Sequence, residues 1–189
     1  MEIAENVYKI LGNGNVYVIL KPEVIVIDTG DSVDSLNIKT ELEKIVPLKD
    51  VKKVFLTHLH YDHAGNVDLF PNAEFYASEV AIENYKSSVK DFFFTNISAK
   101  SDEILRNAKV LPDNISGLKV LKVPGHTRGS VAFLDEERRL LFSGDTLFDK
   151  EIIGRTDLPN SIPDVMVKSV DDLKKLVSDG YKLCPGHDY

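Results

Sequence analysis

Thr57-His58-Leu59-His60-Tyr61-Asp62-His63 crowds three imidazoles and a carboxylate into six residues, directly after the apolar run Val51 to Leu56. Neutral imidazole is the commonest protein ligand for a divalent metal, and carboxylate completes such sites. The chain holds five histidines, and the other two lie in segments of similar character. They are His126 in Pro124-Gly125-His126-Thr127 and His187 in Pro185-Gly186-His187-Asp188-Tyr189, with Asp145 in Ser143-Gly144-Asp145-Thr146 as a fourth. A lone histidine is usually a surface or satisfied core residue. A whole supply placed in this way points to a metal centre.

Outward from these motifs, short apolar runs rich in β-branched residues read as strands. Val16 to Leu20, Val24 to Ile27, Val51 to Leu56 and Ala73 to Ala77 form a first group. Leu118 to Val123, Ser130 to Leu134, Arg139 to Phe142 and Tyr181 to Cys184 form a second. Ser35 to Val46 predicts an amphipathic helix stopped by Pro47, Ser78 to Ala108 reads as mostly helical, and Asp164 to Val177 follows a helix-starting Pro163. Two strand groups, each supplied with helices, predict packed sheets with helices outside, in one domain over 1–189. The metal motifs follow strands, where ligands can converge at one edge of a β-core. In extended backbone His58 and His60 project to one side. Asp62 and His63 lie past the strand end, where a turn can aim them elsewhere, which suggests two metals with distinct ligand sets.

Composition narrows the partners. Hydrophobic residues make up 43% and charged residues 28%, ordinary values for a globular protein. No apolar run approaches the roughly 20 residues of a membrane-spanning helix. Met1-Glu2-Ile3-Ala4-Glu5 has neither the basic end nor the apolar stretch of a signal peptide. A single cysteine, Cys184, fits a reducing compartment, so a cytoplasmic location is expected. The net charge of −7 disfavours nucleic-acid or membrane surfaces, whose binding rests on clustered Lys and Arg. Two divalent cations would concentrate positive charge in one pocket, so a small anionic molecule is the expected partner. Phe92-Phe93-Phe94, near Tyr85, suits core or homodimer packing, or an apolar wall over the cleft.

These motifs, in this order, resemble the metallo-β-lactamase-fold superfamily from about Asn15 to the last residue. The resemblance implies an α/β fold, the four-layer αββα sandwich, with a dinuclear site between the sheet edges. Carried over motif by motif, it assigns His58, His60 and His126 to one metal and Asp62, His63 and His187 to the second, with Asp145 bridging. β-Lactamases of the common subclass use cysteine where Asp145 stands. The aspartate instead resembles the glyoxalase II, lactonase, ribonuclease Z and persulfide dioxygenase branches. Ile153-Gly154-Arg155-Thr156-Asp157, after Asp145-Thr146-Leu147-Phe148, is most similar to glyoxalase II-like hydrolases and persulfide dioxygenases. With no basic arm, ribonuclease activity is disfavoured.

The implied reaction is hydrolysis of a thioester or related ester, a glutathione-type thioester first, by a hydroxide shared between two divalent metals, with Asp62 orienting it. Zn²⁺ is the expected metal because it lowers the pKa of bound water to about 7; Fe is the alternative. A persulfide dioxygenase would instead hold one iron on His58, His126 and Asp145. A lactonase and a non-catalytic metal-binding module are the other readings, though closed structural zinc sites favour cysteine. The resemblance also puts Arg155 near a basic glutathione-contacting position, beside its reading as a structural loop arginine. Tyr189 is a candidate substrate contact or a mobile terminal residue. Asp28 suits hydrogen bonding to a ligand histidine or a turn role. Cys184 reads as a buried thiol, and Gly125 and Gly129 as close-approach positions around His126.

Overall fold

The computed structural model describes residues 1–88, 92 and 97–189. Its first sheet holds β1 (Glu2–Ala4), β2 (Val7–Ile10), β3 (Val16–Ile19), β4 (Ile25–Ile27), β5 (Lys53–Phe55), β6 (Glu74–Ala77) and β7 (Lys109–Val110) in sequential order. The second runs β12-β11-β10-β9-β8, from β8 (Asn114–Ile115), β9 (Leu118–Lys122), β10 (Val131–Asp135), β11 (Leu140–Gly144) and β12 (Lys182–Pro185). Pairing is parallel from β4 to β7 and between β11 and β12. β4, buried throughout, reads as the continuous apolar run of a parallel strand covered on both faces, whereas β6, β7 and β12 each carry an exposed charged residue.

Alternation still decides which residue enters which layer. Tyr17, Ile19, Ile25, Ile27 and Phe55 face the second sheet, meeting Val131, Phe133, Leu140 and Phe142 in the central core. Phe55 stacks on Phe133 at 5.7 Å between centroids. The intervening Val16, Val18, Val26 and Val54 pack outward with Ile38 and Leu42 of α1 (Ser35–Glu43), Tyr85 of α3 (Glu79–Ser87) and Leu105 of α4 (Ala99–Arg106). On the far side Ala132, Leu134 and Leu141 pack with Met166, Val170 and Leu173 of α5 (Pro163–Ser178). Three apolar interfaces separate four layers, helix, sheet, sheet and helix. This is the αββα sandwich expected from the sequence.

The structure adds detail at two places. Among its described residues the stretch Ser78 to Ala108 is mostly helical, as expected, in two helices each started by its own serine: Ser78 accepts from the Ala81 amide and Ser98 from the Ser101 amide. The first sheet also begins earlier than expected, with β1 and β2 preceding Asn15. Among the described residues no helix is long and apolar enough to cross a membrane.

Candidate metal centre

Five strand ends deliver the cluster. The loop after β5 carries His58 and His60, and the single helical turn α2 (Tyr61–Ala64) carries Asp62 and His63. His126 follows β9, Asp145 follows β11 and His187 follows β12. Asp28, just beyond β4, takes the left-handed conformation with φ 57°, which aspartate tolerates better than most residues.

All seven expected ligand side chains meet at one end of the sandwich. His58, His60 and His126 form one set of candidate ligand atoms within 4.8 Å of one another; Asp62, His63 and His187 form a second. Asp145 lies between them, 3.1 Å from His63 Nε2, 3.3 Å from His187 Nε2 and 3.5 Å from His126 Nε2. Close approach needs missing side chains: a Cβ on Gly186 would stand 2.1 Å from Asp145 Oδ1, and one on Gly154 would stand 1.8 Å from the Asp145 carbonyl oxygen.

Outer partners set the proton on several rings. Thr57 Oγ1 donates to Asp28 Oδ2 at 2.7 Å, so towards His58 Nδ1, 3.1 Å away, it can only accept. That leaves the lone pair of neutral His58 on Nε2, which is buried without a protein partner. His126 Nδ1 donates to the Arg155 carbonyl at 2.8 Å, and His63 Nδ1 to Asp28 Oδ2 at 2.8 Å. In the neutral rings both Nε2 atoms are then lone pairs aimed into the cluster. Orienting a ligand histidine through its second nitrogen is the usual support of a metal site. Converging imidazole lone pairs beside carboxylates, with His58 Nε2 unpartnered, fit divalent metal, and these seven residues would hold it.

The charge states divide the cluster. Burial pushes His60 down to about 3, with help from His126, and pushes His58 well below the ordinary histidine range. Burial lowers His126 as well, against the pull of Asp145. Burial also opposes charge on His63, but Asp145, Asp28 and Asp62 outweigh it and hold that ring well above its ordinary value. His187 rises to about 9, its burial overcome by hydrogen bonds to Asp145 and Asp62. Burial disfavours the Asp62 and Asp145 carboxylates, yet the neighbouring histidines keep both below the usual range.

The cluster opens into a cleft of about 700 Å³. Arg155 lines it, but its guanidinium is paired with Asp157 by two 2.9 Å contacts. Tyr189 also lines it, 5.0 Å from the Phe148 ring. Phe92 is buried in the core near Tyr85 (5.9 Å) and His60 (5.8 Å); Phe93 and Phe94 lie outside the described residues. Burial pushes the Cys184 thiol up to about 12, an inert core group. Gly125 packs on Met166 and Gly129 on the Ala81 backbone, close approaches as expected. Sequence reading missed the part of Thr57, although it directly precedes His58, and the close fits at Gly154 and Gly186.

A four-layer sandwich with histidines and aspartates gathered at the ends of its strands defines a metallo-hydrolase class of fold. The chain belongs to the metallo-beta-lactamase superfamily, whose family model matches residues 10–187. It is 29% identical over 200 residues to Probable metallo-hydrolase M6_Spy0554 of Streptococcus pyogenes serotype M6, covering 99% of this chain and 84% of that protein. It is 31% identical over 184 residues to a hydroxyacylglutathione hydrolase of Synechococcus sp., covering 95% of this chain but 65% of that enzyme. Among solved structures, TTHA1623 in a di-iron-bound form superposes with a TM-score of 0.69 at 27% identity, covering 93% of this chain and 88% of that one.

Proposed function

We propose that the protein is a dinuclear metal-dependent hydrolase that cleaves a small-molecule thioester or related ester. The observation that carries this reading is the position of Asp145 between two three-residue ligand sets at the floor of an open cleft. The hydroxyacylglutathione hydrolase similarity supports a thioester over other acyl compounds. Divalent metals, zinc by the chemistry of the donors, would supply Lewis acidity and a nucleophilic water that ionises at about pH 7.

The chain's own residues do the rest. Asp62, kept a carboxylate by His63 and His187, lines the cleft, where it would accept a hydrogen bond from the nucleophilic water and orient it. Thr57, Asp28 and the Arg155 carbonyl keep His58, His63 and His126 in one tautomer and one orientation. Tyr189 lines the path by which substrate enters.

Metal analysis of protein purified without added metal, paired with activity panels, tests the proposal. Two zinc or mixed metals per chain with thioester cleavage and no oxygen uptake is the expected result. One iron per chain, with oxygen uptake on glutathione persulfide, would replace the hydrolase by a dioxygenase. Cleavage of lactones far exceeding that of thioesters would make it a lactonase.

A further inference from the structure

The walls of the cleft differ from its floor. Leu11, Ile152, Ile153 and Tyr189 line it and are 56%, 40%, 46% and 60% exposed, and Phe148 lies among them. Exposed apolar side chains scattered singly are ordinary, but several around one cleft mark a binding surface. The charged residues of the lining outside the metal cluster are Arg155 and Asp188, and each is already paired, with Asp157 and Lys9 respectively.

The segment carrying the two isoleucines is held in place at some conformational expense. Lys150 and Glu151 both take left-handed backbone, with φ of 55° and 62°, immediately before Ile152. Non-glycine residues adopt this conformation against steric opposition, and such strain tends to gather at binding sites. Several contacts accompany it. Lys174 pairs with Glu151 at 2.7 Å, Lys150 Nζ donates to the Tyr189 carbonyl at 3.1 Å, and Phe148 N donates to the Ile152 carbonyl at 2.8 Å. Leu147 and Ile153 form a β-bridge. An unconstrained loop would turn two isoleucines away from water; this one presents them to the cleft.

We propose that Leu11, Phe148, Ile152 and Ile153 form the acyl-chain subsite, so that the preferred substrates are thioesters or esters of unbranched apolar acids of medium length. The inference deepens the hydrolase reading and rests on it. The carbonyl carbon sits over the metal cluster and the hydrocarbon tail lies along the apolar wall. Recognition comes from tail length, with little dependence on the charge of the thiol.

Two measurements on the metal-loaded protein test this. In the first, binding of butanoate, hexanoate and octanoate is followed by calorimetry. Affinity should rise by up to about fourfold per methylene buried. Equal affinities across the series would overturn the subsite. In the second, kcat/KM is compared for butanoyl and octanoyl thioesters. The octanoyl preference should reach about tenfold or more, and the double substitution Ile152→Ser with Ile153→Ser should remove most of it. If that variant does not fold, Leu11→Ser, on a different segment, serves in its place. Thioester turnover indifferent to chain length would sink the subsite and leave the hydrolase reading standing. Rising alkanoate affinity without turnover of any thioester would do the reverse.

Discussion

The two candidate ligand sets differ by one carboxylate, three histidines in the first and Asp62 with two histidines in the second, and their histidines hold opposite charge states. His58, His60 and His126 are kept neutral by burial among one another. His63 is buried and His187 partly buried, but Asp145, Asp28 and Asp62 beside the first and Asp145 and Asp62 beside the second hold protons on both rings. Carboxylate placement thus decides what burial alone would not. The neutral set offers lone pairs that metal can take directly, whereas the charged set must release protons first. Asp145 belongs to both, so its removal should erase the distinction.

That gives the largest expected effect. Asp145→Ala should cut kcat/KM by more than the roughly 10–100-fold typical of an outer partner, with metal content falling in both sets. It would leave His63 and His187 facing each other, Nε2 atoms 3.3 Å apart, with one fewer counter-charge. Elemental analysis and steady-state kinetics check both. Retention of two metals per chain would show that Asp145 is no bridge.

Asp28→Ala should separate the sets instead of merging them. Asp28 accepts from the Thr57 amide, the Thr57 hydroxyl and His63 Nδ1, all within 2.8 Å, and touches no residue of the neutral set directly. Loss of this support should weaken one metal by about 10–100-fold and spare the other more nearly. Folding stability should fall by about 1–3 kcal/mol because the buried Thr57 amide loses its acceptor. Chelator titration gives the two affinities, and denaturant unfolding of the metal-free protein gives the stability.

The same comparison fixes a pH profile for the metal-free protein. Histidines lowered by folding contribute stability that is complete above their ordinary value of 6.5 and lost as pH falls below it. Histidines raised by folding contribute stability that is complete below 6.5 and lost as pH rises through their folded values, about 9 for His187. The lowered carboxylates of Asp62 and Asp145 lose their share only in stronger acid. Melting temperature should therefore peak near pH 6.5 and decline on both sides. Metal replaces the protons on the charged set, so loading should abolish the alkaline decline. Persistence of that decline in loaded protein would mean the charged set takes no metal.

Much of this arrangement is legible in the sequence because the chemistry is concentrated. Histidine occurs nowhere outside the cluster, and each ligand motif follows an apolar run that becomes a strand. The gathering of His58, His126, Asp145 and His187 follows once those strands form two facing sheets. The opposite charge states are not legible, because they depend on where Asp28 arrives from β4 in three dimensions. Nor are β7 and β8, two-residue edge strands whose pairing comes from their neighbours rather than from pattern. The cleft wall escaped for a related reason. Ile152 and Ile153 carry no distinguishing pattern in the sequence, and their place in the cleft lining follows a left-handed backbone at Lys150 and Glu151.

Arg155 gives the smallest expected effect and the finest test of what positions the neutral set. Its carbonyl accepts from His126 Nδ1, while its guanidinium points to the exposed Asp157. Backbone and side chain therefore do separate work, and Arg155→Ala removes only the second. An exposed ion pair of this kind contributes little to folding, so melting temperature and metal content should stay unchanged. If the guanidinium remains with Asp157 during turnover, kcat/KM should change by no more than about threefold, equally for glutathione thioesters and for neutral ones. A loss of about tenfold or more confined to the anionic thioesters would show that substrate takes the guanidinium from Asp157. Recognition would then extend from the acyl chain to the thiol half of the substrate, while the support of His126 would still come from the main chain.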